Sequence, residues 1–213
     1  MAKRRIVLDA DAIVALRASA RNHYLSERRS LPGRSLYQWV RMDERHKEGQ
    51  SLRRYLLRKE KDGWDICAPH GARTIADNAF RNVVDEASRL KKGSGIARSK
   101  LLNRPHRKNL YSNASNCAVI NSRKQKETRN EIIEVFKRWN TPETRNCIKK
   151  RGKRRKRLTP EPEDYDRLTE ALLNREEGQV RVAFVTGDMH FICHAETIKT
   201  DYRVEVVNFR SLT

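Results

Sequence analysis

A chain of 213 residues with 37% apolar and 35% charged residues has room for one hydrophobic core beneath a heavily charged surface, and its apolar residues fall in short bounded runs, which excludes a wholly disordered chain. The formal net charge of +20 is concentrated: residues 91–157 hold 22 Lys and Arg against 4 Glu, a net of +18, and the rest nearly cancels. A block of that kind suits a polyanion, because each phosphate neutralised releases condensed counterions. No long apolar run or broad apolar helix face accompanies it, so no membrane partner is expected.

In chain order, MAKRRIVLDADAIVAL sets basic residues before an apolar run, as a signal peptide would. Asp9 and Asp11 interrupt the run and no clean cleavage site follows, so a buried strand over 6–8 is expected in place of a targeting segment. A helix is expected over 11–20. Leu36, Trp39, Val40, Leu52, Tyr55 and Leu56 stand at helical spacing and predict a helix over 35–58, broken near Gly49. WDICA, at 64–68, predicts a second strand, ended by Pro69 and Gly71. Ile75, Ala79, Val83 and Leu90 share one face of a helix over 73–90.

The basic insert, 91–157, is expected to be largely helical or partly irregular. Its first half has few apolar anchors, and ordering upon RNA is expected for much of it. Ile132, Ile133, Phe136 and Trp139 form a stripe for a helix over 128–139. Thr141-Pro142-Glu143 starts another, with Thr as N-cap and Pro in the first turn. IKKRGKRRKR, at 148–157, closes the insert. A helix over 164–173 turns Leu168, Ala171 and Leu172 inward, and strands follow at 180–186 (VRVAFVT) and 202–207 (YRVEVV). Strands alternating with helices imply one α/β domain over 1–213, with a parallel sheet and right-handed crossovers.

Cys67, Cys117, Cys147 and Cys193 form neither a CxxC pair nor a dense framework, so reduced thiols in a cytoplasmic protein are expected. Cys67 and His70 with His190 and Cys193 make a less favoured zinc set.

Asp9 and Asp188 each follow a buried strand. Ligands of open parallel sheets bind beyond the carboxyl ends of the strands, and carboxylates gathered there repel one another unless a divalent ion sits between them, which points to Mg²⁺ or Mn²⁺. Taken singly, Asp9 is as readily the N-cap of the next helix, and Asp188 a turn residue. His190, beside Asp188, is expected on the surface.

IVLDADAIVAL resembles the opening of PIN domains, VAFVTGDMHFI their late strand followed by Thr-x-Asp, and YRVEVVNFRSL their final strand. LTPEPEDYDRLTEALL is similar to their third acidic motif, with Asp164 the better match and Asp166 the second. Glu86 stands slightly ahead of Asp77 for the second acidic position. The resemblance implies a three-layer α/β fold around a central parallel sheet and metal-dependent endonucleolytic cleavage of RNA. Asp9, Asp164, Asp188 and one of Glu86 or Asp77 would hold Mg²⁺ or Mn²⁺, Thr186 would assist, and cleavage would leave 5′-phosphate and 3′-hydroxyl ends. A toxin or RNA-processing role, with a protein inhibitor or ribonucleoprotein partner, goes with it. The insert lies outside the resemblance. Its charge alone assigns RNA contact to Lys149, Lys150, Arg151, Lys153, Arg154, Arg155, Lys156 and Arg157.

Two alternatives stand beside this. One is a non-catalytic RNA-binding or ribosome-associated protein on the same fold. The other is a haloacid-dehalogenase-like phosphatase, because Asp9-Ala10-Asp11 fits a strand followed by DxD. The further acid such a phosphatase places after its Gly-Asp is missing from Met189-His190-Phe191-Ile192.

Overall fold

RRIVL forms strand β1 (Arg4–Leu8), and its last three side chains are buried, as the middle of a parallel sheet requires. The structure is a computed structural model that describes residues 4–19, 33–69, 71–76, 78, 122–151, 160, 162–176 and 181–212; side chains at 17–19, 33–46, 122, 149–151, 163 and 174–176 lie outside the description. Helices α1 (Ala10–Ser19) and α2 (Gly33–Lys61) lead to β2 (Trp64–Cys67). Helices α3 (Ser122–Trp139), α4 (Pro142–Arg151) and α5 (Pro162–Glu176) precede β3 (Arg181–Thr186). Then α6 (Met189–Cys193) and α7 (Ala195–Tyr202) lead to β4 (Val204–Asn208) and a 3-10 turn, Phe209–Ser211.

The sheet order is β2-β1-β3-β4 and every pairing is parallel. Val7 stands opposite Cys67 on one side and Phe184 on the other, and Phe184 stands opposite Val206. Because successive side chains point to opposite faces, each central strand feeds two cores. Ile6, Leu8, Ala183 and Val185 pack with Ile13, Leu52 and Leu56 of α1 and α2. Val7, Val182 and Phe184 pack with Ile132, Phe136, Leu168 and Phe191 of α3, α5 and α6. The expected parallel α/β sheet is present, with helices on both faces.

Three expectations need revision. Helix α2 runs unbroken through Gly49, which is buried. A helical glycine costs about 1 kcal/mol relative to alanine, less than the roughly 2 kcal/mol contributed by each buried leucine, and Leu52 and Leu56 are both fully buried beside it. Helix α3 begins at Ser122, ahead of 128, and its Ile132 and Phe136 belong to the core although they fall within the basic insert. Cys147 of α4 and Cys193 of α6 are joined in a disulfide, with Cα atoms 6.0 Å apart, so reduced thiols are not the state of this pair. Cys193 is thereby removed from the four-ligand zinc set, whose His70 lies outside the described residues; Cys67 is buried on β2, its Sγ 3.9 Å from Asp65 Oδ2.

The start of α4 is as expected: Thr141 Oγ1 accepts the Thr144 N–H at 3.4 Å, ahead of Pro142. Of the helix expected over 73–90, only 71–76 and 78 are described, and they are helical. Asp77, Glu86 and the first half of the insert lie outside the described residues, as do Lys153, Arg154, Arg155, Lys156 and Arg157. Among the described residues, no helix is long and apolar enough to cross a membrane.

Candidate functional site

From β1 the chain steps outward to β2, and from β3 it steps the other way to β4, so the winding reverses between β1 and β3. At such a switch point the loops beyond the carboxyl ends diverge and leave a crevice. Asp9 follows β1 directly, and Gly187 and Asp188 follow β3.

Asp9 is 1% exposed. Its backbone N–H extends the ladder to Val185 O at 3.0 Å, and its carbonyl accepts the Ile13 N–H, opening α1. Oδ1 accepts the Ala10 N–H at 2.7 Å and forms an ion pair with Arg167 Nε at 3.1 Å; Oδ2 accepts from Thr186 Oγ1 at 2.6 Å. Asp9 is thus both a helix-opening residue and a member of the site. Thr186 Oγ1 in turn accepts the Asp188 N–H at 3.0 Å, so one hydroxyl ties the two strand-end aspartates together.

Asp188 caps α6 and is 23% exposed. Its Oδ1 accepts the His190 N–H at 2.8 Å and lies 2.9 Å from His190 Nδ1. His190 is buried, contrary to the surface position expected for it, because α6 turns the imidazole in beside its own cap. Asp164, near the start of α5, is also buried, and Arg167 Nη2 donates to its Oδ1. Arg167 therefore joins Asp9 to Asp164. Asp166 faces away and pairs with Arg129 of α3 at 2.5 Å.

Donor atoms of Asp164, Asp188 and His190 all lie within 4.8 Å of one another, a spacing open to a metal ion. Asp9 is outside that triad and reaches it through Arg167 and Thr186. Asp11 lines the same edge: its Oδ2 accepts the Gly187 N–H at 3.0 Å and lies 3.5 Å from Arg210 Nη2, while Oδ1 is buried without a hydrogen-bond partner. Gly187 is needed for that approach, because a Cβ there would fall 2.6 Å from Arg210 Nε and 2.7 Å from Asp11 Oδ2.

Burial raises the Asp9 carboxyl above its ordinary value; the Arg167 guanidinium and the Thr186 hydrogen bond oppose the shift, and the Asp188 charge adds to it. Burial, then the neighbouring Asp9 charge, push Asp11 up to about 7 against the pull of Arg210. Burial and Asp166 push Glu170 up to about 7 as well. Behind α6, burial and His190 push His194 down to about 4; its ring packs 5.0 Å from Phe136. Four acids, Asp9, Asp11, Asp164 and Asp188, stand at this edge with two guanidiniums, Arg167 and Arg210.

The sequence pointed to Asp11 only through the phosphatase alternative and to His190 only through the less favoured zinc set, and it did not point to Arg167. The three-residue step from Asp164 to Arg167 on a helix is the one signal that could have found the arginine. Lys149, Lys150 and Arg151 fall on the last turn of α4, with side chains outside the description. Compared with protein-family models, with curated proteins and with solved structures, the chain matches none.

Proposed function

We propose that this protein is a metal-dependent endoribonuclease with a PIN-like three-layer fold. The observation that carries the reading is the gathering of Asp9, Asp164 and Asp188, from three distant parts of the chain, around the switch point between β1 and β3. The residues fit a divalent cation: Asp11 Oδ1 is a buried oxygen lacking a hydrogen-bond partner, and the surrounding carboxylates outnumber the guanidiniums. Asp9, Asp164 and Asp188, with Glu86 or Asp77, would hold Mg²⁺ or Mn²⁺, which when bound supplies Lewis-acid activation of a phosphodiester and of water.

The chain's own residues prepare that edge. Thr186 fixes the spacing of Asp9 and Asp188, and Arg167 pairs with both Asp9 and Asp164, opposing the effect of burial on Asp9. RNA would be held by Lys149, Lys150, Arg151, Lys153, Arg154, Arg155, Lys156 and Arg157, a reading carried by sequence charge. A cytoplasmic setting rests on the sparse cysteine pattern, against which the Cys147–Cys193 disulfide counts, and a protein inhibitor or ribonucleoprotein partner rests on the family resemblance alone. A phosphatase nucleophile at Asp9 has less support, because the further acid that such an enzyme places after its Gly-Asp is missing from Met189-His190-Phe191-Ile192.

The test is incubation of a mixed RNA pool with Mn²⁺ or with EDTA, for wild type and Asp9→Asn. Cleavage should require the ion and fall at least about 10³-fold in the variant, roughly 4 kcal/mol of transition-state stabilisation. Equal cleavage by both proteins would end the nuclease reading. RNA retained but uncut would favour the binding-protein alternative, and phosphate captured on Asp9 the phosphatase. Neutralising the eight basic residues should flatten the salt dependence of RNA affinity by roughly 0.7–0.9 log units per lost phosphate contact.

A further inference from the structure

We propose that His190 is a nitrogen ligand of this centre, so that the site selects a first-row transition ion over Mg²⁺. The inference rests on the metal-dependent reading of the same carboxylates and adds the identity of the ion. Donors on neighbouring corners around an ion, each about 2.1 Å from it, stand about 3.0 Å apart, and donors on opposite corners about 4.2 Å. His190 Nδ1 and Asp188 Oδ1 are 2.9 Å apart, and the donors of Asp164, Asp188 and His190 all fall within 4.8 Å. The shortest of these separations matches neighbouring corners of one shell, and the outer limit lies slightly beyond opposite corners, within a small side-chain adjustment of it.

The imidazole is held there by construction. Its side chain is 7% exposed, its backbone N–H is bound by the Asp188 carboxylate, and Met189 and Phe191 are buried on either side. At the far end of the same short helix, Cys193 is fastened to α4. At the same edge Asp11, 26% exposed and held through Oδ2 by Gly187 and Arg210, carries an inaccessible Oδ1 without a hydrogen-bond partner that a cation or its hydration shell would satisfy.

The donor set decides which ion. Mg²⁺ takes oxygen ligands and gives up its water reluctantly, whereas imidazole nitrogen is a good ligand for transition ions. Two carboxylates with one imidazole therefore favour the transition series, for which Mn²⁺ is a convenient paramagnetic probe.

Mn²⁺ and Mg²⁺ are each titrated into the full-length, untagged, oxidised protein without RNA, and the Mn²⁺ form is examined by pulsed electron paramagnetic resonance. Mn²⁺ should bind at least about tenfold tighter than Mg²⁺ and show nitrogen hyperfine coupling. In His190→Gln the coupling should vanish and the preference shrink toward unity, while Asp164→Asn should weaken both ions. Wild type that binds Mn²⁺ without nitrogen coupling, or binds no ion, overturns the proposal whatever the variants do. Coupling that persists in His190→Gln overturns it too. Nitrogen-coupled Mn²⁺ in a protein that cuts no RNA leaves this inference standing and removes the nuclease; metal-dependent cleavage without nitrogen coupling does the reverse.

Discussion

Asp164 and Asp166 stand two residues apart near the start of α5 and occupy opposite environments. Two helical residues are separated by about 200° around the axis, so the core that claims one excludes the other. Asp164 is buried and shares Arg167 with Asp9. Asp166, with 48% of its side chain exposed, pairs with Arg129 on the outer surface. Both are acids at the same helix end with an arginine partner; only burial separates a member of the site from an ordinary surface pair. Ion pairs are therefore informative here in proportion to the solvent they have lost.

Replacing each acid with alanine in turn separates the two environments most clearly. Asp164→Ala should lower metal-dependent RNA cleavage at least about 10³-fold, and Asp166→Ala by less than about twofold. Equal losses in a single-turnover assay would mean that α5 presents the wrong face to the site. Stability should divide in the same way. Arg167→Ala strips the counter-charge from two buried carboxylates and should cost about 3 kcal/mol in urea unfolding, whereas Arg129→Ala should cost less than about 1 kcal/mol.

A gentler probe uses pH. The folded state raises Asp11 and Glu170 to about 7 from ordinary values of 3.8 and 4.5, so it holds protons that the unfolded chain has released. Stability from these groups is then fully present below the ordinary carboxylate range and is lost as pH climbs through about 7. Urea midpoints rising over that interval would contradict both assignments. Asp166 helps to raise Glu170, four residues along the helix, so Asp166→Asn should recover a few tenths of a kcal/mol above pH 7. That is the smallest effect, and the one that shows the surface acid still speaks to the buried side.

The four strands were legible because each is a short apolar run closed by a charged or turn residue, and parallel burial on both faces needs little else. Asp9 and Asp188 were legible for the same reason, since a strand end fixes where the next side chain goes. What escaped depends on packing between distant segments. The break expected at Gly49 was a local reading that the burial of Leu52 and Leu56 overrides. Helix α6 has five residues, too few for any helical period to register. The inward turn of His190 follows from that short helix. Arg167 was one basic residue among many until Asp9, more than 150 positions away, was set beside it. Cys147 and Cys193 share no local motif, and only the meeting of α4 with α6 brings their sulfurs together.

That last bond has a topological consequence. It closes a covalent ring with a sequence separation of 46, and Asp164, Arg167, Thr186, Asp188 and His190 all lie within it. Closing a ring of this size removes unfolded-state freedom worth about 4 kcal/mol on a chain-entropy account. The ring also contains the Lys- and Arg-rich residues 149–157, the densest set of trypsin-type cleavage points in the chain. A single cut there would open the ring without dividing the molecule. The nicked protein should run as one species on a non-reducing gel, separate into two fragments only after thiol reduction, and keep the halves of its acidic edge together until then.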